Sequence, residues 1–288
     1  MEAHNPIAPA EARQRWRLVY ARSESAPHLA QRDQHAAWEA GLRASGLPVV
    51  GQDLEPPRPR IAFAAPLGVG LPAEGELADL FLAERLPVAD VRDALQANLP
   101  EGHRLVELLD VWLGEPALPG QVVAADYRAD VRVGGGADGD TPAPAPDALS
   151  DAARRLLTAS SLPRTRDKGG RDVPYDLRPL LADIAVLGTS DPASGDPKAS
   201  DRELESHRSL IGLRIRVRYD PERGVGRPEE VLAALAELAG LELSLEALVR
   251  ERMLLAGMTS SFLCECREGA ADQELIEAKH LAIEDPVG

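Results

Sequence analysis

Hydrophobic and polar positions along this chain alternate with two different periods, and the order in which the periods follow one another predicts the architecture. From Arg15 to Arg22 (RWRLVYAR) the period is two, with Trp16, Leu18 and Tyr20 on one face of a strand. Leu29 to Ser45 reads as a helix stopped by Gly46 and Pro48. Arg60 to Ala64 and Glu76 to Ala83 read as strands joined through PLGVGLPAEG, Val88 to Asn98 as a helix, and Arg104 to Leu113 as a strand. The same order then recurs. Gln121 to Val133 is a strand, Asp147 to Ala159 a helix with Asp147 or Ser150 as its cap, and Val173 to Leu187 a broken strand. Ser209 to Tyr219 is the clearest strand of all, Pro228 to Ala239 a helix with proline in its first turn, and Leu248 to Leu255 a last strand.

Strand, helix, strand, strand, helix, strand is the split βαβ arrangement of the ferredoxin-like fold. Val91, Ala94 and Leu95 also recur 140 positions later as Val231, Ala234 and Leu235. The expected class is therefore α+β, with tandem ferredoxin-like (βαββαβ) units, antiparallel sheets and the helices of each unit on one sheet face. The expected domains are 15–118 and 121–257, behind a disordered 1–14 and ahead of an acidic tail, 258–288. GGGADGDTPAPAP (134–146) reads as a linker or long loop, and 188–206 as a mobile insertion.

With 288 residues and 44% apolar content, a packed core is expected. Charge complicates the picture. The chain carries 47 acids against 32 bases, a net of -15, which repels a phosphate backbone unless the bases are segregated. Only three of those bases are lysines, Lys168, Lys198 and Lys279. Two cysteines, Cys264 and Cys266, are too few for a disulfide framework and fit a reducing compartment. With no secretory signal and no membrane-length apolar run, a cytoplasmic location is expected.

The bases do gather. In LIGLRIRVRY, alternation puts Arg214, Arg216 and Arg218 on the face opposite Ile211, Leu213, Ile215 and Val217. Their guanidiniums recur every ~6.6 Å, twice the strand rise. Arg164, Arg166, Lys168, Arg171 and Arg178 lie in a neighbouring segment, and Arg58 and Arg60 precede a glycine-containing loop. Such a ladder suits RNA or another polyanion, although no aromatic residue interleaves to stack bases. The alternative is that these arginines pair with Asp126, Asp130 or Asp183 across a sheet-to-sheet interface. Among catalytic groups only His28 and His35 stand out; no P-loop, HExxH, GxSxG or cluster-binding cysteine motif appears, and no metal or cofactor site is expected.

The run from PHLAQRDQHAAW through GLPV to PRPRIAFAAPLGVG, followed by DLRPLL and RPEEVL, resembles the radical SAM-linked proteins of unknown function over roughly residues 15–255. That family reads Ser-His-Leu-Asp where this chain has Pro27-His28-Leu29-Ala30, and Gly-Phe where it has Asp53-Leu54. His28, Pro57, Arg58, Pro59 and Arg60 are the positions that carry over. The resemblance implies a partner radical SAM enzyme of the cobalamin type, encoded separately, and a non-catalytic accessory that presents tRNA or rRNA to it. Two alternatives remain: a metal-independent endoribonuclease with His28 as base, by analogy with the tandem ferredoxin-like CRISPR endoribonucleases, and a protein-interaction adaptor.

Overall fold

The computed structural model describes residues 10–134, 145–167, 169–189 and 210–257. The linker core, most of the 188–206 insertion, Lys168 and the tail with Cys264 and Cys266 lie outside the described residues. Residues up to Leu254 make one compact unit; a second begins at Leu255.

Eleven strands and four long helices are described. The first half runs β1 (Gln14–Arg22), α1 (Gln31–Ala44), β2 (Ile61–Phe63), β3 (Ala73–Leu82), α2 (Val88–Gln96) and β4 (His103–Val111). The second runs β5 (Val122–Gly134), α3 (Ala145–Thr158), β6 (Pro163–Asp167), β7 (Asp172–Asp176), β8 (Leu181–Thr189), β9 (Leu210–Asp220), β10 (Gly224–Val225), α4 (Pro228–Ala239) and β11 (Glu242–Leu255). The protein is mixed α and β, and its main sheet is mostly antiparallel.

That sheet has nine strands in the order β10-β9-β5-β11-β3-β1-β4, with β2 on β3 and β8 on β9. The two halves expected from the sequence therefore share one sheet. Their junction is parallel and short: Arg250 of β11 pairs with Ala73 of β3.

Alternation explains each face. Trp16, Leu18 and Tyr20 of β1 and Ala78, Leu80 and Leu82 of β3 are buried against Trp38 and Leu42 of α1 and Val91 and Leu95 of α2. The helical period puts those four residues on single stripes. Each fully buried aliphatic side chain here stabilises the fold by about 1.5–3 kcal/mol. Tyr20, Trp38 and Phe63 meet edge to face, with centroids 4.8 and 5.6 Å apart for Tyr20–Trp38 and Trp38–Phe63. In the second half Ile211, Leu213, Ile215 and Val217 of β9 are fully buried, as are Leu149 and Leu156 of α3 and Val231 and Leu235 of α4.

Three local readings change. Val173–Leu187 is not one broken strand: β6 and β7 form a separate two-stranded hairpin, and a 3-10 turn at Arg178–Leu180 separates it from β8. Gly169 and Gly170 lie between β6 and β7, both at positive φ, a conformation glycine adopts without strain. Ser150 does not cap α3; it lies inside the helix and its hydroxyl donates back to the Pro146 carbonyl at 2.8 Å. β4 ends at Val111, which leaves Trp112 77% exposed in the following turn.

Candidate functional site

On β9 the arginine ladder exists, and register decides what it faces. Arg214, Arg216 and Arg218 stand opposite Arg128, Asp126 and Ala124 of β5. Arg216 donates to both Asp126 oxygens, at 2.6 and 2.9 Å, and Arg252 of β11 adds a 2.8 Å bond to the same carboxylate. Burial pushes the Asp126 carboxyl up, but the bonds from Arg216 and Arg252 outweigh it and hold the group below the usual aspartate range. Arg128 bridges to Glu74 and Glu251, and Arg132 to Glu246. The pairing carboxylate of Arg216 thus comes from the adjacent strand of the same sheet rather than from a second sheet. The face alternates in sign, and Asp126, Arg128, Asp130 and Arg132 already alternate along β5.

The remaining basic residues divide. Arg178 is committed to the fold, donating to the carbonyls of Leu181 and Leu157 at 2.8 and 2.6 Å. Arg164 bridges to Glu237 at 2.9 Å, and Arg166 lies 5.2 Å from the Tyr175 ring centroid. Among the described residues, exposed Arg218 bonds only the Pro179 carbonyl, at 3.1 Å, and exposed Arg214 has no carboxylate partner. Arg58 and Arg60 sit on a loop held by backbone bonds from Arg58 to Gly51 and from Arg60 to Val50. Both are exposed, and the Arg60 guanidinium lies over Phe81 at 3.9 Å.

His28 lies elsewhere, at the end of the sheet where two loops meet. Its ring is exposed and packs on Gly70: a Cβ added there would stand 3.2 Å from the imidazole. Two buried arginines hold the loops. Arg22 donates to the carbonyls of Gly68 and Pro27, and Arg250 to that of Pro66. Arg250 also grips both Glu76 oxygens at 2.5 Å and the Tyr219 hydroxyl at 3.2 Å. Burial disfavours the Arg250 charge, yet Glu76 more than offsets it, and the guanidinium stays charged. Burial likewise raises Tyr20 and Tyr219, so both remain neutral phenols. Beside them Tyr20, His35, Trp38 and Phe63 line a cleft of about 20 Å³, room for a single water. Burial lowers His103, which therefore stays neutral at pH 7.

Sequence reasoning missed the most buried charges. Arg15 and Arg17 alternate with the core residues of β1 and converge on Asp79 of β3, with Arg17 Nε 2.8 Å and Arg15 Nη2 2.5 Å from its oxygens. The segment after β4 folds over them, since Arg15 also donates to the Glu115 and Pro116 carbonyls. A lone aspartate in the apolar run LADLFL was the available signal, because unpaired carboxylates are almost never buried.

These features define a mixed α+β protein built on one mostly antiparallel sheet pinned by buried arginine–carboxylate pairs. Residues 15–209 match the family described as uncharacterized protein conserved in bacteria (DUF2344), and the chain belongs to that family. No curated protein matches the sequence. Among solved structures it is similar to a Cbf5-Nop10-Gar1 complex at 10% identity and TM-score 0.43, covering 82% of this chain and 48% of that one. It is also similar to the archaeal box H/ACA sRNP Nop10-Cbf5 complex, at 9% and 0.36, covering 81% and 46%. An unknown protein from Galdieria sulphuraria matches at 13% and 0.21, covering 81% and 97%. The chain spans about half the length of the first two. Among the described residues no group of three or more His, Cys, Asp or Glu is placed to hold a metal ion, and no helix is long and apolar enough to cross a membrane.

Proposed function

We propose that this protein is a non-catalytic cytoplasmic accessory that presents tRNA or rRNA to a separately encoded radical SAM enzyme, the partner the sequence resemblance implies. The supporting observation is a division of labour among the arginines. Arg15, Arg17, Arg216, Arg250 and Arg252 are consumed by carboxylates that hold the sheet together, whereas Arg58, Arg60, Arg214 and Arg218 stay exposed and spend nothing on a carboxylate among the described residues. In a chain of net charge -15, cations kept out of ion pairs are the surface a phosphate backbone can use.

The fold reading is finer than the class. Each half orders its strands fourth-first-third-second, β4-β1-β3-β2 and β11-β5-β9-β8, which supports two ferredoxin-like units fused edge to edge. An endoribonuclease acting through His28 draws less support, because no hydrogen bond to a described residue orients that ring toward a reacting atom.

Binding of unfractionated tRNA, measured against salt, is the test. Four phosphate contacts predict an affinity that falls roughly 50- to 150-fold between about 50 and about 200 mM salt. Absence of binding at low salt, with and without the partner enzyme, refutes the proposal. Retention of the partner by RNase-treated protein that binds no RNA points instead to an adaptor.

A further inference from the structure

The face of the β6–β7 hairpin turned toward α4 holds chemistry that the fold leaves unused. Six buried side-chain polar atoms among the described residues lack a hydrogen-bond partner, and four of them are Arg164 Nε, Arg166 Nε, Tyr175 OH and Glu230 Oε2. Register explains why three of these share a face. Arg164 pairs directly with Tyr175 and Arg166 with Val173, so both arginines and the tyrosine project to the same side, the arginines ~6.6 Å apart. α4 answers with Glu230 and Glu237, two helical turns apart.

The match is incomplete. Arg164 reaches Glu237 at 2.9 Å, but among the described residues Glu230 has only Arg227 within ion-pair distance, at 3.8 Å. Burial raises the Glu230 carboxyl above its ordinary value, and the attraction of Arg166 and Arg164 offsets this only in part. Each bare Nε and the bare carboxylate oxygen carries an unrepaid desolvation cost. A phosphodiester offers acceptor oxygens in the plane of the guanidinium edge, the geometry arginine reads best. Tyr175, opposite Arg164 and 5.2 Å from the Arg166 guanidinium, supplies the aromatic ring that β9 lacks, and arginine plus aromatic is the usual pairing for single-stranded nucleic acid. The hairpin is a sheet of its own, so lifting it from α4 breaks no ladder of the nine-stranded sheet.

We propose that this face of β6–β7 binds the backbone of single-stranded RNA, with Arg164 and Arg166 on successive phosphates and Tyr175 stacking a base, and that Glu237, bridged to Arg164, and the negative charge of Glu230 beside the pair compete with RNA until it displaces them. The inference rests on the RNA-contact reading above and adds to it a location and a built-in competitor.

The test titrates a mixed-sequence single-stranded RNA oligonucleotide into the full chain, into Arg164→Ala/Arg166→Ala and into Glu230→Gln/Glu237→Gln, each shown by thermal melting to fold. The alanine pair is expected to lower the slope of log affinity against log salt by about 1.4, two phosphates' worth. The glutamine pair is expected to bind roughly tenfold tighter, because two like charges leave the path of the phosphates. If the wild type binds RNA and the alanine pair binds it with the same slope, the hairpin site is wrong while the RNA reading stands. If the alanine pair weakens binding but the glutamine pair does not tighten it, the competitor is wrong. If nothing binds, both the site and the RNA reading fall. Should the alanine pair not fold, Arg164→Gln/Arg166→Gln carries the same expectation.

Discussion

Arg250→Met tests whether the two halves of the sheet are held by one buried ion pair. Arg250 sits on β11 and Glu76 on β3; their side chains are 2% and 1% exposed, and four hydrogen bonds converge on the guanidinium. Methionine fills similar volume but strands the Glu76 carboxylate in a dry site. The stranded group escapes its charge by taking up a proton, and that bounds the cost: about 1.4 kcal/mol for each pH unit above the ordinary glutamate value near 4.3, hence about 4 kcal/mol at pH 7. The sign follows. In the variant the folded-state pKa of Glu76 is raised above its unfolded value, so stability is full below the unfolded pKa and is lost as pH rises. Urea unfolding at pH 7 and pH 5 should therefore show a deficit near 4 kcal/mol at the first and near 1 at the second. Replacing both partners, Arg250→Met/Glu76→Met, removes the unpaired charge and should recover most of the loss, as hydrophobic replacement of buried pairs does. A deficit under 1 kcal/mol at pH 7, an equal deficit at both pH values, or a double variant no better than the single one refutes this account.

Gly70→Ala should cost about 1–2 kcal/mol in urea unfolding, since φ is +71° there and the new methyl meets the His28 ring; a neutral result would mean the loop is free to move. Gly41→Ala should cost about 1–3 kcal/mol, because its Cβ would stand 2.1 Å from the Asn98 carbonyl oxygen and α1 must shift, which thermal melting will report. Asp126 is held below its ordinary pKa, so its ion pairs stabilise the fold above the unfolded aspartate value and the benefit is lost as pH falls through the lower folded value. Asp126→Asn should accordingly be less stable than wild type at pH 7, and the gap should begin to close only as pH falls below about 4, followed by urea midpoints.

Periodicity in the sequence carried the elements whose surroundings are uniform. Trp16, Leu18 and Tyr20 share a face, as do Ile211, Leu213, Ile215 and Val217, and α4 occupies Pro228–Ala239 with the proline in its first turn, as expected. It failed where a segment changes environment partway. β7 and β8 read as one strand because both are extended, and only the turn at Arg178–Leu180, fixed by Asp176 Oδ1 accepting from the Leu162 and Arg178 amides, divides them. β11 begins at Glu242, earlier than its hydrophobic run suggests, because the first half of the strand is mostly exposed and shows no buried alternation.

Arginine roles were the least legible part, and the reason is geometric. Arg214, Arg216 and Arg218 are chemically equivalent in sequence, yet register sets them against an arginine, an aspartate and an alanine, so among the described residues one meets a carboxylate and two do not. A slip of two residues would preserve every buried side chain and reassign every ion pair. Arg164 and Arg166 differ in the same way across a tertiary contact, one bridged to Glu237 and the other with no carboxylate in ion-pair distance among the described residues. Clustered arginine in an acidic chain therefore identifies only where charge is concentrated. Which guanidiniums remain available to a phosphate follows from the carboxylates that pairing and packing bring to them, and in this fold those carboxylates lie between about 70 and about 90 residues away along the chain from Arg164 and Arg216.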